Sequence, residues 1–220
     1  MRIGVLGTGM VGRAIGSKLV ELGHEVRMGS RNADNEDAVA WAQAAGDSAS
    51  AGQFAAAAGF GEAVFNCTAG MHSVEAVDAA GSANLDGKVL IDVANSLDFS
   101  KGRPPTLGIV NTESLGERIQ AAHPEARVVK ALNTVNCEVM VDPAIVPGDH
   151  VVFMCGNDDA AKAEATRLLG EFGWPEERIV DLGDISQARG PEMYLPLWLR
   201  LMGPLDTIRF NIALHKAPPG

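Results

Sequence analysis

Three glycines, Gly7, Gly9 and Gly12, stand at G-x-G-x-x-G spacing inside "MRIGVLGTGMVGRAIGSKLVELGHEV". Glycine weakens regular elements, so its use here points to backbone that turns sharply and approaches something closely. At this spacing the first glycine permits the turn and the second lets a pyrophosphate reach backbone N–H groups. The third lets the following helix pack tightly on the strand. The N-terminus of that helix, beginning at Met10 and Val11, supplies attraction for the anion. Thr8 could reach the same phosphate or merely fit the turn. The chemistry implied is dinucleotide binding.

A second set of residues selects among nucleotides. Enzymes that hold NAD in this way place an acid at the end of the second strand to bind the ribose hydroxyls. Here "HEVRMG" runs instead into Ser30, Arg31 and Asn32. A guanidinium offers a planar, permanently charged fork to a 2′-phosphate, and Ser30 can add a hydroxyl bond, so NADP(H) is favoured. An ordinary polar turn is the alternative. Further along, "NCTAG" and "DVANS" put small residues at two more strand ends. Backbone at Thr68 and Ala69 would pass along the cofactor, and the Asn95 amide could bond the nicotinamide carboxamide or simply make a turn. His72, at a helix start, is a conceivable acid or base, although such histidines are commonly structural or exposed.

The elements that must hold these residues follow from apolar periodicity. Strand-like runs occur at residues 3–6, 25–28, 63–68, 88–93, 127–132, 150–155 and 178–182, with alanine-rich helical stretches between most of them. A weak further strand and a short helix fit "DSASAGQFAAAAG". This alternation implies a doubly wound, mostly parallel α/β sheet covered on both faces. The stretch "SLDFSKGRPPTLGIVNTES" reads as a long loop, of the kind that tends to be functional. No linker divides the chain, which reads as a single domain over 1–220, with a dinucleotide-binding core over 1–135 and a C-terminal α/β extension over 136–220. The apolar run 193–205 could fill the core, wall a substrate pocket or join a dimer interface, and core filling is the commonest use of such a helix.

The 220 residues carry a formal charge of −10, which argues against general nucleic-acid binding and reads as solubility. Cys67, Cys137 and Cys155 fit no C-x-x-C spacing, and Cys67 and Cys155 sit in strand-like runs where reduced core thiols are expected. The N-terminal apolar residues belong to a strand and a glycine loop rather than to a leader, and the run "MYLPLWLRLMGPL" is short for a bilayer and interrupted by Pro196, Arg200 and Pro204. The expected location is the cytoplasm.

Taken together, "GTGMVGRAIGSKLVELGHEV", "MGSR", "VVKALNTV", "GNDDAAKAEATRLL" and "GPEMYLPLWLRL" resemble the coenzyme F420-dependent NADP oxidoreductase family. The resemblance implies a Rossmann domain with a small C-terminal extension and hydride transfer between NADPH and the deazaflavin F420. It implies that Thr8, Gly9, Met10 and Val11 surround the pyrophosphate, that Ser30 and Arg31 hold the 2′-phosphate, and that Asn133 and Thr134 border the nicotinamide. A homodimer is compatible with it. The chain departs from the family at Thr134-Val135-Asn136-Cys137, where a proline-containing "TIPA"-like stretch is usual, so the acceptor is less determined than the donor. The chain is also similar to the NADPH-binding domains of membrane ferric reductases, which pass electrons to flavin. The sequence shows no Tyr-Lys or His-Asp catalytic pair, its lone tyrosine being Tyr194. Direct hydride transfer between stacked rings needs none. Reduction of a carbonyl or imine would call for a larger helical domain than 136–220 supplies, and a sensor that binds NADP(H) without turnover is the non-enzymatic alternative.

Overall fold

The apolar alternation of the strands builds two cores, one on each side of a single sheet. The structure, a computed structural model, describes residues 1–217, and residues 218–220 at the end of the expected extension lie outside the described residues. The chain runs β1 (Arg2–Leu6), α1 (Met10–Glu21), β2 (Glu25–Ser30), α2 (Glu36–Ala45), β3 (Ala49–Gln53), α3 (Phe54–Phe60), β4 (Ala63–Asn66), α4 (Ser73–Ala80), α5 (Ser82–Leu85) and β5 (Val89–Asp92). It continues through β6 (Leu97–Asp98), β7 (Thr106–Leu107), α6 (Leu115–Ala122), β8 (Arg127–Ala131), α7 (Cys137–Val141), β9 (Val152–Gly156), α8 (Asp159–Glu171), β10 (Ile179–Asp181), α9 (Arg189–Met193) and α10 (Leu195–Leu205). Ile3, Val5, Phe65, Ile91 and Val129 enter one core, while Leu6, Val64, Leu90 and Val128 enter the other. That division is the period-two signature of strands buried on both faces.

The main sheet has eight strands in the order β10-β9-β8-β5-β4-β1-β2-β3. From β3 to β8 all pairings are parallel, and β1 lies between β2 and β4, so the connections reverse direction there. This is the Rossmann arrangement, and ligands bind in the crevice outside the strand ends at such a reversal. The last two strands differ: β9 is antiparallel to β8, and β10 is parallel to β9. After β8 the chain makes the short helix α7 and a turn at Pro143–Ile145 in place of a full crossover, so it re-enters the sheet from the same end of the strands.

Strand ends deviate from the apolar runs for a consistent reason. The run ending at Thr68 stops being a strand at Asn66, whose Oδ1 accepts from the Thr68 backbone N–H at 3.3 Å. Asp92 ends β5 by accepting from Ala94 N–H at 3.1 Å. Such side chains offer the backbone a local turn in place of a ladder bond.

Two expectations require correction. The long loop contains a small antiparallel ladder, with Leu97 opposite Leu107 and Asp98 opposite Thr106, and Ser96 Oγ accepts from Ile109 N–H at 3.2 Å. The terminal apolar helix does not fill the core. It is broken into α9 and α10, and in α10 only Leu195 is buried, while Leu197 is 55% exposed. Pro196 and Pro204 lie in α10, whose inward side, Leu195, Trp198, Leu199 and Met202, is only partly covered apart from Leu195, while Leu197 and Leu205 face outward. No helix among the described residues is long and apolar enough to cross a membrane.

Candidate functional site

The glycine loop joins β1 to α1 beside the reversal point. Gly7 has φ +111°, a conformation costly for other residues, and a Cβ there would lie 2.6 Å from the Cys67 carbonyl oxygen. A Cβ on Gly12 would lie 2.1 Å from the Gly7 carbonyl oxygen, so this glycine lets α1 pack against the loop. Gly9 is different. A Cβ there would meet nothing within 4 Å, and its backbone is extended, so neither packing nor strain among the described residues requires glycine. No side chain caps α1 at Gly9, and its first turn holds no acid. Open space in front of an uncapped helix N-terminus is what a pyrophosphate needs. The Thr8 hydroxyl has no hydrogen-bond partner among the described residues, and Met10 is largely exposed at the same edge.

At the end of β2, next to β1, Ser30 is buried and donates its hydroxyl to the Asn32 carbonyl, shaping the turn. Contact between Ser30 and a phosphate requires that hydroxyl to rotate. Arg31 and Asn32 are exposed, and Arg31 makes no ion pair among the described residues, which leaves its guanidinium available. Asn35 then starts α2 by accepting from Ala38 N–H at 3.0 Å.

A cavity of about 320 Å³ lies at the other end of the crevice. Of the residues singled out in the sequence, Met10, Val11, Thr68, Ala69, Asn95 and Asn133 line it. Gly7, Thr8, Gly9, Gly12, Ser30, Arg31, Asn32 and Thr134 do not. The first seven lie in the β1–α1 loop, the first turn of α1 and the turn after β2, whereas Thr134 is buried. His72 also falls outside: its side chain is 75% exposed and faces Glu75 at 3.6 Å.

Most polar groups of this cavity are tied down, the exception being Asn133 Oδ1, which is buried with no hydrogen-bond partner among the described residues. Thr68 Oγ1 bonds to Asn66 Oδ1 at 2.7 Å and to Ser73 Oγ at 2.6 Å. Asn95 Nδ2 donates to the Asn133 carbonyl at 2.8 Å, and Asn133 Nδ2 donates to Asn95 Oδ1 at 2.9 Å. The two amides form a reciprocal clasp across the ends of β5 and β8, so Asn95 keeps one amide hydrogen for a ligand instead of a free amide. Beside them, Leu132 has φ +60° although fully buried. That conformation costs a branched residue about 1–2 kcal/mol and commonly marks a backbone held for function.

Much of the rest of the wall comes from segments the sequence flagged only as a long loop, a departure from the family pattern or a helix that could wall a pocket: Leu97 and Phe99 from the β6–β7 hairpin, Asn136 and Cys137 at the start of α7, and Leu195 and Trp198 from α10, together with Met140, which carried no signal. Their apolar character was visible in sequence, but no local pattern could bring segments so far apart into one wall. Among the described residues no His, Asp, Glu, Lys, Arg or Tyr lines the cavity. The two thiols there, Cys67 and Cys137, have their pKa pushed up by burial and stay neutral.

A glycine loop at the reversal point, a basic turn after β2 and an apolar cavity at the far end define a nicotinamide-nucleotide oxidoreductase of the Rossmann class. Residues 2–96 match the family described as NADP oxidoreductase, coenzyme F420-dependent. The chain is 49% identical to a candidate F420-dependent NADP reductase from Arthrobacter sp. FB24 of known crystal structure, covering 98% of this chain and 100% of that one, with a TM-score of 0.92. The chain belongs to this family of NADP-dependent oxidoreductases. It is also 26% identical over 205 residues to the metalloreductase STEAP3 of Rattus norvegicus, covering 90% of this chain and 38% of that protein's length. A reductive aminase from Aspergillus terreus, solved in complex with NADPH, shares the fold at 18% identity and a TM-score of 0.63, covering 93% of this chain and 62% of that one.

Proposed function

We propose that the protein transfers hydride between NADPH and a planar ring acceptor, with coenzyme F420 as the first candidate. The observation that carries this reading is the cavity wall, which offers apolar surface, clasped amides and two thiols that burial makes poor acids, but no His, Asp, Glu, Lys, Arg or Tyr to serve as a proton donor. Reducing a carbonyl or imine needs such a donor, whereas a deazaflavin or flavin ring takes hydride at one atom and draws its balancing proton from water. The family description and the Arthrobacter relative favour F420 as the acceptor. The likeness to a metalloreductase supports a second reading in which a flavin takes its place.

In this reading, the N–H groups beyond Gly9 hold the pyrophosphate, with Gly7, Thr8, Met10, Val11 and Gly12 shaping that cradle. Ser30, Arg31 and Asn32 surround the 2′-phosphate, and Thr68 and Ala69 pass along the nicotinamide half. Asn95 and Asn133 orient its carboxamide, and Thr134 supports Asn133 from behind. Bound there, the dinucleotide supplies a hydride at nicotinamide C4. The apolar wall from Phe99, Leu195 and Trp198 excludes water and offers stacking surface to the acceptor. Purified protein mixed with NADPH and either F420 or FMN tests the reading by loss of NADPH absorbance. Turnover with F420 supports the first reading and turnover with FMN alone the second. NADPH binding without turnover of either would leave a redox sensor in their place.

A further inference from the structure

Behind the cavity wall lies a cluster of three buried charges that hydride chemistry does not use. Lys130 and Asp92 are 0% exposed and Glu192 is 1% exposed. Lys130 Nζ donates to Asp92 Oδ2 at 2.6 Å and to the Ala94 carbonyl at 2.7 Å, and pairs with Glu192 Oε1 at 2.9 Å. Burial alone would lower the lysine pKa, but the two carboxylates reverse this and raise it, so Lys130 stays charged. Buried ion clusters are poor sources of net stability, because desolvation offsets the attraction and apolar residues of similar volume often serve as well. What such a cluster does supply is direction.

Two arms leave Lys130. On one side, Asp92 Oδ1 accepts from Asn66 Nδ2 at 2.9 Å, and Asn66 Oδ1 accepts from Thr68 Oγ1 at 2.7 Å. Thr68 lines the cavity, as does Ala94, whose carbonyl and N–H are both bound within the cluster. On the other side, Glu192 in α9 accepts from Leu115 N–H at 2.8 Å and Gly116 N–H at 3.0 Å in the first turn of α6. Three residues beyond Glu192 comes Leu195, which with Trp198 forms the α10 wall of the same cavity.

We propose that Lys130 is a positioning residue, holding the Thr68 wall through Asp92 and the Leu195–Trp198 wall through Glu192, so that it sets the gap in which the two reacting rings meet. This rests on the cavity being the hydride-transfer site. The two arms predict an asymmetry. Glu192→Gln keeps size and shape but removes the charge and one acceptor, so it should loosen only the α10 wall. Lys130→Met should loosen both.

The test uses the full chain, with folded sites counted by NADPH titration. Glu192→Gln should slow single-turnover hydride transfer by about 10- to 100-fold, the usual cost of an ångström-scale misplacement, while the NADPH dissociation constant stays within about threefold. Lys130→Met should impair both. Independently of turnover, 5-fluorotryptophan labelling gives one ¹⁹F signal for each of Trp41, Trp174 and Trp198, assigned by Trp→Phe variants. Glu192→Gln should move or broaden the Trp198 signal and leave the Trp41 signal in place. Unchanged transfer and an unchanged Trp198 signal would overturn the proposal. So would equal losses of NADPH binding and transfer in Glu192→Gln with all three signals disturbed, which would mark a general staple of the fold. If Lys130→Met does not fold, Glu192→Gln alone decides. If the wild type reduces neither F420 nor FMN, that failure belongs to the acceptor assignment, and the ¹⁹F spectra still decide this one.

Discussion

At the residue scale, the three glycines of one motif serve three different purposes, and substitution separates them. Gly9→Ala adds a methyl group where the protein has no atom within 4 Å, so stability should change by no more than about 0.5 kcal/mol while NADPH binding is lost. Gly12→Ala instead drives a methyl group to 2.1 Å from the Gly7 carbonyl oxygen and should cost about 1–3 kcal/mol or more of folding free energy. Thermal unfolding and NADPH titration of both variants check the contrast, and full NADPH affinity in Gly9→Ala would show that the glycine serves only the turn. Arg31 makes no ion pair among the described residues, so Arg31→Ala should weaken NADPH binding by about 10- to 100-fold and leave NADH nearly untouched. Equal loss of both nucleotides would remove Arg31 from the 2′-phosphate site. The turn at Gly7 and the close packing at Gly12 were legible from spacing alone. The clasp between Asn95 and Asn133 was not, because it joins residues on two strands whose adjacency is a property of the sheet order.

At the scale of elements, α6 and α9 meet through a pair that the sequence contained but did not announce. Ser114 and Glu117 form a capping box at the start of α6, where Ser114 Oγ accepts from Glu117 N–H at 3.1 Å and donates to Glu117 Oε2 at 2.7 Å. Arg189, the first residue of α9, donates to the same carboxylate through Nε at 2.9 Å. The bond from Arg189, followed by that from Ser114, holds the Glu117 pKa below the ordinary glutamate value. A depressed folded-state pKa contributes stability above the unfolded value and loses it as pH falls through the folded value. Unfolding temperatures should therefore fall more steeply below about pH 4 in wild type than in Arg189→Ala, which starts lower and has less to lose. Parallel curves for the two proteins would show that the pair is not coupled to folding.

At the scale of the whole molecule, the order of strands brings the glycine loop, a basic turn and an apolar cavity to one end of the sheet, and among the described residues no His, Asp, Glu, Lys, Arg or Tyr lines the cavity. Turnover with a ring acceptor should accordingly vary by less than about tenfold between pH 6 and 8, and His72→Ala, remote from the cavity, should retain turnover within the same factor. A bell-shaped profile would reveal a proton donor and count against direct hydride transfer. Met193, Leu197 and Leu205 on the terminal helices and Ile208 just after them are exposed apolar residues, and the homodimer compatible with the sequence is the proposal that covers them. Light scattering that returned a monomer mass at micromolar concentration would sink that idea. The sequence by itself determined the strand–helix alternation, the glycine cradle and the basic turn, because each is written in neighbours a few residues apart, where periodicity, φ preference and charge act locally. Only the tertiary structure decided that β9 runs antiparallel, that α10 walls a cavity and leaves the core to others, and that Lys130 sits between Asp92 and Glu192. Those features depend on which distant segments share space, and chain packing settles that through the burial of all the apolar faces together.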